Sequence, residues 1–281
     1  MKNWLIAPLG ATVALALAFP AVAQDDAGGK VDWTGPYVGG SLGYSWGGKT
    51  GREQIGFDTN GDGVYNNTVT TAAGANAFSP GFCGGSALGN SAAQGCRKDK
   101  DGTNWSIHAG YDRQFGNIVA GAVVEGGKNY IRDSVTAFST TPASYTMTRQ
   151  LGWNGALRAR LGYTTDSGIM VYGTGGAVYG KVKNSFTSTN TANRFTVNNA
   201  SDKSWGWTAG GGIEAKVSQH FSVGALYKYT RFDAGDSTVT VTQGTAPATN
   251  PFIITPSGST DFARRSRFNN QSVMATASFR F

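Results

Sequence analysis

At 281 residues, with a net charge of +7 and 15% charged residues, the chain carries no Lys/Arg run dense enough for a nucleic-acid surface. Beyond its first two dozen residues no apolar stretch approaches the ~20 residues a spanning helix needs, which excludes a helical membrane protein. What remains, rich in Gly, Tyr, Trp and Phe, fits a soluble all-β domain or a transmembrane barrel.

Met1 to Asn3 is a short basic start, Trp4 to Phe19 is apolar apart from Gly10 and Thr12, and Ala21-Val22-Ala23 offers a small-x-small cleavage site. That order predicts a Sec signal peptide over residues 1–23, whose removal lowers the net charge by one unit. Residues 24–34 read as a short periplasmic segment, and residues 35–281 as the folded domain.

From there the periodicity is 2, the mark of a strand with unlike faces. In Gly35–Trp46, Val38, Leu42, Tyr44 and Trp46 oppose Ser41 and Ser45. In Asn104–Phe115, Trp105, Ile107, Ala109 and Tyr111 oppose Ser106, His108 and Asp112. In Ile118–Lys128, Ile118, Ala120, Ala122 and Val124 oppose the face of Glu125. In Gln150–Thr164, Leu151, Trp153, Leu157, Leu161 and Tyr163 oppose Asn154, Arg158 and Arg160. Ile169–Lys183 is strand-like but too Gly-rich for its faces to be assigned. In Trp205–Val217, Trp207, Ala209, Ile213, Ala215 and Val217 oppose Thr208, Glu214 and Lys216. In Phe221–Asp233, Phe221, Val223, Ala225, Tyr227 and Tyr229 oppose Ser222, Lys228 and Thr230. The last strand sets Val273, Ala275, Ala277, Phe279 and Phe281 against Ser272, Thr276, Ser278 and Arg280, with Met274 the exception.

The pattern predicts an all-β fold, an eight-stranded antiparallel up-and-down transmembrane β-barrel. Closure leaves no amide without a partner in lipid. Short links at 115–117, 164–168 and 218–220 alternate with long polar loops near 47–103, 129–145, 184–203 and 233–264, as periplasmic turns and external loops do. A soluble sandwich would also alternate. It would turn Glu125, Arg158, Arg160, Glu214, Lys216 and Lys228 to solvent, whereas a barrel packs them into a narrow lumen as a charge network.

Cys83 and Cys96 are the only cysteines and read as one disulfide in an exported chain, stabilising the first loop by roughly 3 kcal/mol. Asp58, Asn60 and Asp62, with Gly63, resemble the first half of a calcium loop, although Val69 stands where its bidentate Glu belongs. The competing reading is a surface loop of Asx-turns, and no other cofactor is indicated. Gly39-Gly40-Ser41-Leu42-Gly43 matches the serine-hydrolase G-x-S-x-G, and Ser41 and His108 share the lumen side, but no helix pattern follows.

Trp33-Thr34-Gly35-Pro36-Tyr37-Val38-Gly39-Gly40 resembles the opening strand of the small alphaproteobacterial outer-membrane barrels, the immunogenic "porin family". Leu151 to Tyr163 and Val171 to Gly180 are similar to its central hairpin, and Arg267-Phe268 through Phe281 to its closing strand. The resemblance covers nearly all strands and none of the long loops. It implies an OmpA-like membrane domain in the cell outer membrane, with Phe281 as the signal read by the barrel-assembly machinery. Leu226, where the family usually places an acid, and the long cysteine-bearing first loop depart from it. The expected role is that of a non-enzymatic structural and surface protein amid outer-membrane lipid and lipopolysaccharide. Its loops are the candidate sites for an unknown ligand or for immune recognition. The alternatives are a narrow porin and a lipid-A hydrolase.

Overall fold

The computed structural model describes residues 31–47, 54–233, 237–264 and 268–281. The signal peptide expected over 1–23, the rest of the stretch to residue 30 and short pieces of the first and last long loops lie outside these. In chain order the strands are β1 (Gly35–Gly47), β2 (Ile55–Asp58), β3 (Gly81–Gly84), β4 (Ser86–Ala87) and β5 (Cys96–Arg97). Then come β6 (Gly102–Phe115), β7 (Ile118–Asn129), β8 (Arg132–Ser139), β9 (Ala143–Thr164) and β10 (Ile169–Ser188). The remainder are β11 (Arg194–Val197), β12 (Ser201–Lys216), β13 (Phe221–Phe232), β14 (Ser237–Thr242), β15 (Thr260–Arg264) and β16 (Phe268–Arg280). No helix among the described residues is long and apolar enough to cross a membrane.

Eight of these strands close a ring. β1 pairs with β16 and β6, β7 joins β6 to β9, and β10, β12 and β13 return to β16, every pairing antiparallel. The alternating sequences force the closure. Leu42, Ile107, Leu157, Leu161, Val171 and Trp205 stay exposed on the outer wall, while Ser41, Asp112, Glu125, Arg158 and Arg160 are buried inside. Such an inversion suits a hydrocarbon surround. Glycine makes the narrow bore workable: at Gly110 an added Cβ would stand 2.4 Å from the Tyr37 ring. At the tight β6–β7 turn Gly116 takes φ +62°, a conformation L side chains rarely adopt. In β10, left unassigned by the sequence, Met170, Tyr172, Thr174 and Val178 face the lumen, and Val171, Gly173, Ala177 and Tyr179 face outward.

The long loops contain a second body. The upper part of β10 and β9 pairs on to β8 and β3, and a separate sheet runs β11-β14-β15-β2. Their inner faces enclose an apolar core of Phe57, Phe78, Tyr145, Val239, Phe252 and Phe262, with Phe186 and Phe195 at its edge. Phe57 stacks on Phe78 at 4.4 Å between centroids, and Tyr145 meets Phe262 edge-on at 5.7 Å. The outer face of β8 and β9 is a hydroxyl ladder: Thr136 bonds Thr146 at 2.8 Å and Ser134 bonds Thr148 at 2.9 Å. The 85–101 segment that follows β3 lies over that face, with Thr136 donating to the Gly85 carbonyl at 2.8 Å. The stretches at 129–145 and 184–203, expected as polar loops, are therefore largely strand. Their Thr, Val, Phe and Tyr residues are good strand formers, set among Ser and Asn that read as loop.

Leu151, read as lipid-facing, turns inward. It is 2% exposed and packs inside with Ile131, Val178, Val182, Phe232 and Phe268. The cause is a bulge: Gly180 pairs with Asn154 but Val182 with Leu151, so Gly152 and Trp153 together oppose Lys181. The extra residue flips the alternation, and Leu151, Arg149 and Met147 turn inward. At the same point β9 exchanges its partner β7 for β8.

Candidate functional site

The lumen is filled in three layers. At the end bearing the short turns, the periplasmic side by the usual rule, Trp33, Val119, Met170, Tyr172 and Leu226 pack together. Trp33 donates its indole N–H to Thr164 Oγ1 at 2.8 Å, and its carbonyl accepts from Arg280 at 2.5 Å. At the external end the Leu151–Phe268 cluster forms an apolar neck.

Between them lies the charged layer. Glu125 accepts from Arg158 at 2.7 Å and also from Lys228. Glu214 accepts from Arg160 at 2.5 Å and from the Ser222 hydroxyl at 2.6 Å. Asp112 pairs with Arg280 at 2.9 Å and lies 3.7 Å from Arg160. The Arg160 guanidinium lies 4.0 Å from the Tyr172 ring centroid, and that of Arg280 4.6 Å from Tyr37. Three carboxylates thus face four cations. All seven residues are buried, and each carboxylate has a charged partner, the condition under which buried charge is tolerable. Two lumen cavities, of about 30 and 20 Å³, each have room for isolated waters.

Lys216 does not join this layer. It sits at the periplasmic mouth, donating to the carbonyls of Asp32 and Gln219, its ammonium 5.5 Å from the Trp33 ring. It is the last residue of β12, so its side chain passes below the lumen instead of into it. Sequence reasoning left Asp112 and Arg280 out of the network, although both stand on polar faces beside aromatic residues. Ser41 Oγ lies 3.4 Å from His108 Nδ1, and His108 Nε2 lies 3.0 Å from Ser278 Oγ. Ser41 is only 8% exposed inside the barrel, out of reach of lipid on the outer wall.

Above the neck a second set of charges ties the two sheets of the head together. Arg264 pairs with Asp133 at 2.6 Å, and Arg149 donates to the Arg264 carbonyl at 2.8 Å. The Ser134 amide donates to Asp99 at 2.6 Å. Partial loss of water around Asp99 foremost, although the residue stays largely exposed, with Asp133 adding to it, pushes its carboxyl up to about 6 against the opposing Ser134 bond. No sequence signal marks Asp133 or Arg149: β8 lies inside a stretch read as loop, and Arg149 falls just before the strand read from Gln150.

The first loop contains the Cys83–Cys96 disulfide, with Cα atoms 6.2 Å apart. The Asp58 oxygens accept from the amides of Asn60, Gly61 and Gly63 at 3.1, 2.7 and 2.8 Å. Burial raises that carboxyl, but these amides outweigh it and hold it below its usual value. Asp62 accepts from the Asn60 side chain at 2.9 Å and the Val64 amide at 2.7 Å. The oxygens of Asp58 and Asp62 thus serve the loop's own N–H groups in Asx-turns, and among the described residues no group of three or more His, Cys, Asp or Glu is placed to hold a metal. Phe281 is exposed, its ring edge-on to Phe279 at 5.2 Å and its amide bonded to the Pro36 carbonyl at 3.1 Å.

Comparison with known proteins gives the same architecture. Residues 11–248 match the family model of the outer membrane protein beta-barrel domain. The 31 kDa outer-membrane immunogenic protein of Brucella melitensis is 32% identical over 200 residues, covering 70% of this chain and 70% of that one. The 22 kDa outer membrane protein of Rhizobium leguminosarum bv. viciae is 30% identical over 155 residues, 55% of this chain and 64% of its own. Among solved structures, OprG of Pseudomonas aeruginosa aligns over 91% of this chain and 100% of its own, at 11% identity and a TM-score of 0.49. The family-model match over residues 11–248 and the Brucella relative make the chain a member of the outer membrane protein β-barrel family, resident in the cell outer membrane.

Proposed function

We propose that the chain is a non-conducting, non-enzymatic barrel that supports the outer membrane and displays a folded head at the cell surface. The three-layered filling of the lumen carries this reading. An ion crossing it would have to part the Glu125, Glu214 and Asp112 pairs and breach apolar packing at both ends. The burial of Ser41 inside the same lumen counts against lipid-A hydrolysis. The head, with its own aromatic core and a stapled flap, is the surface open to antibodies or to a ligand, and the Brucella relative is named as immunogenic. Its other partners are membrane lipid and, through Phe281, the barrel-assembly machinery.

The test is planar-bilayer recording of the refolded full chain, whose folding is first verified by heat-modifiable gel mobility. No conductance steps are expected. Reproducible steps of fixed size would overturn the closed lumen and favour the porin. In a deletion strain, detergent sensitivity that the restored gene reverses is expected, and unchanged resistance would remove the structural role.

A further inference from the structure

We propose that Lys181, Lys183 and Lys203, with Arg231, form a clamp on the outer barrel wall for the phosphate groups of outer-leaflet glycolipid. The inference rests on the outer-membrane placement above and not on the closed lumen.

Lys181 and Lys203 are direct cross-strand partners on β10 and β12, and Lys183 stands one outward step higher on β10. All three are exposed on the lipid-facing side of their strands. Among the described residues none of them has an acidic partner. Like charges placed directly opposite, with Cβ atoms about 5 Å apart, destabilise a sheet, and an anion between the two ammonium groups relieves that repulsion. Arg231, the outward partner of Trp207, extends the patch on to β13, with Asp233 4.0 Å from it as the nearest acid. Lys128, at a similar height on β7, is instead held over the rings of Tyr130 and Trp153 at 4.8 and 6.0 Å.

The height of the patch selects the ligand. Directly below the lysine pair, Tyr179 and Trp205 pack at 4.9 Å between centroids, and Trp207 and Tyr229 follow at 5.3 Å. Aromatic residues of this kind mark the headgroup level. From Val171 to Lys181 the strand rises about 33 Å at ~3.3 Å per residue, or about 25 Å along an axis tilted near 40°. That equals the apolar band of an outer-membrane barrel, so the ammonium groups stand at the upper boundary of the hydrocarbon, where lipid phosphates lie.

The test measures binding of lipopolysaccharide to the refolded full chain in detergent. The K181Q/K203Q variant is expected to bind about thirtyfold more weakly, roughly fivefold for each basic residue near a charged lipid surface. Wild type should lose a similar factor with dephosphorylated lipopolysaccharide, and K181R/K203R should retain the affinity. K98Q/K100Q, which removes two lysines from the head, should bind as wild type. Equal affinity of K181Q/K203Q and wild type, both heat-modifiable, would overturn the clamp. So would an equal loss in K98Q/K100Q, or displacement of the lipid by inorganic phosphate at matched concentration. Conductance recorded on the same samples keeps the two readings apart, because an open pore would leave the lysine result standing.

Discussion

Glu125 holds two cations, Arg158 at 2.7 Å and Lys228, in a site closed to solvent. Glu125→Ala strands both, and an uncompensated buried charge costs about 3–5 kcal/mol. The variant should therefore lose its heat-modifiable mobility at a distinctly lower temperature, and an unchanged transition would show that the pair contributes little. Asp99 tests the neck. Its folded-state carboxyl is pushed up to about 6 from an ordinary value of 3.8, so the folded head holds that proton more tightly than the unfolded chain. Its contribution is thus most favourable below pH 4 and declines as pH rises through 6, by a small amount because the residue is still exposed. The Ser134 amide, which donates to Asp99, should titrate near pH 6 by NMR; a midpoint below 4.5 would refute the shift. At this scale the sequence is half informative. Period-2 alternation marks Glu125, Arg158, Arg160, Glu214 and Lys228 as lumen residues, because one face must avoid lipid. It cannot say which acid meets which base, since partners such as Arg160 and Glu214 lie on strands separated by the register of a third, β10.

β9 explains most of what was misread among the elements. Below Gly152 it is a membrane strand; above it, the same strand is part of the head core. The bulge opposite Lys181 reverses its faces. Deleting Gly152 removes the extra residue and leaves Trp153 alone opposite Lys181 and Leu151 opposite Val182, so Leu151, Arg149 and Met147 keep their inward faces. Limited proteolysis should then find the head of this variant as resistant as wild type. Rapid cutting of the head, with the barrel's heat-modifiable mobility kept, would show that the bulge itself is needed. The membrane strands were legible because lipid demands an unbroken apolar row on each. The head strands were not: Ser237–Thr242, with both its valines fully buried, reads as a polar loop when the sheet opposite is unknown.

Across the whole molecule, barrel and head have separate cores. Every tryptophan among the described residues lies in a barrel strand or, like Trp33, at its mouth, whereas the head core is built from Phe, Tyr and aliphatic residues. Denaturation by urea should show an early far-UV dichroism transition, the head, to which tryptophan fluorescence is blind. Phe262→Ala removes a fully buried ring and should destabilise that early step alone by about 3–5 kcal/mol. A single transition seen equally by both probes would mean that the two bodies melt as one.

β9 and β10 cross from the hydrocarbon into the head as continuous strands, paired from Met170–Thr164 up to Ser188–Tyr145. A tug on the head, from a bound antibody or a neighbouring cell, therefore runs along this ladder in shear and loads many bonds at once. A flexible tether would stretch first; here the pull reaches the bilayer almost undamped.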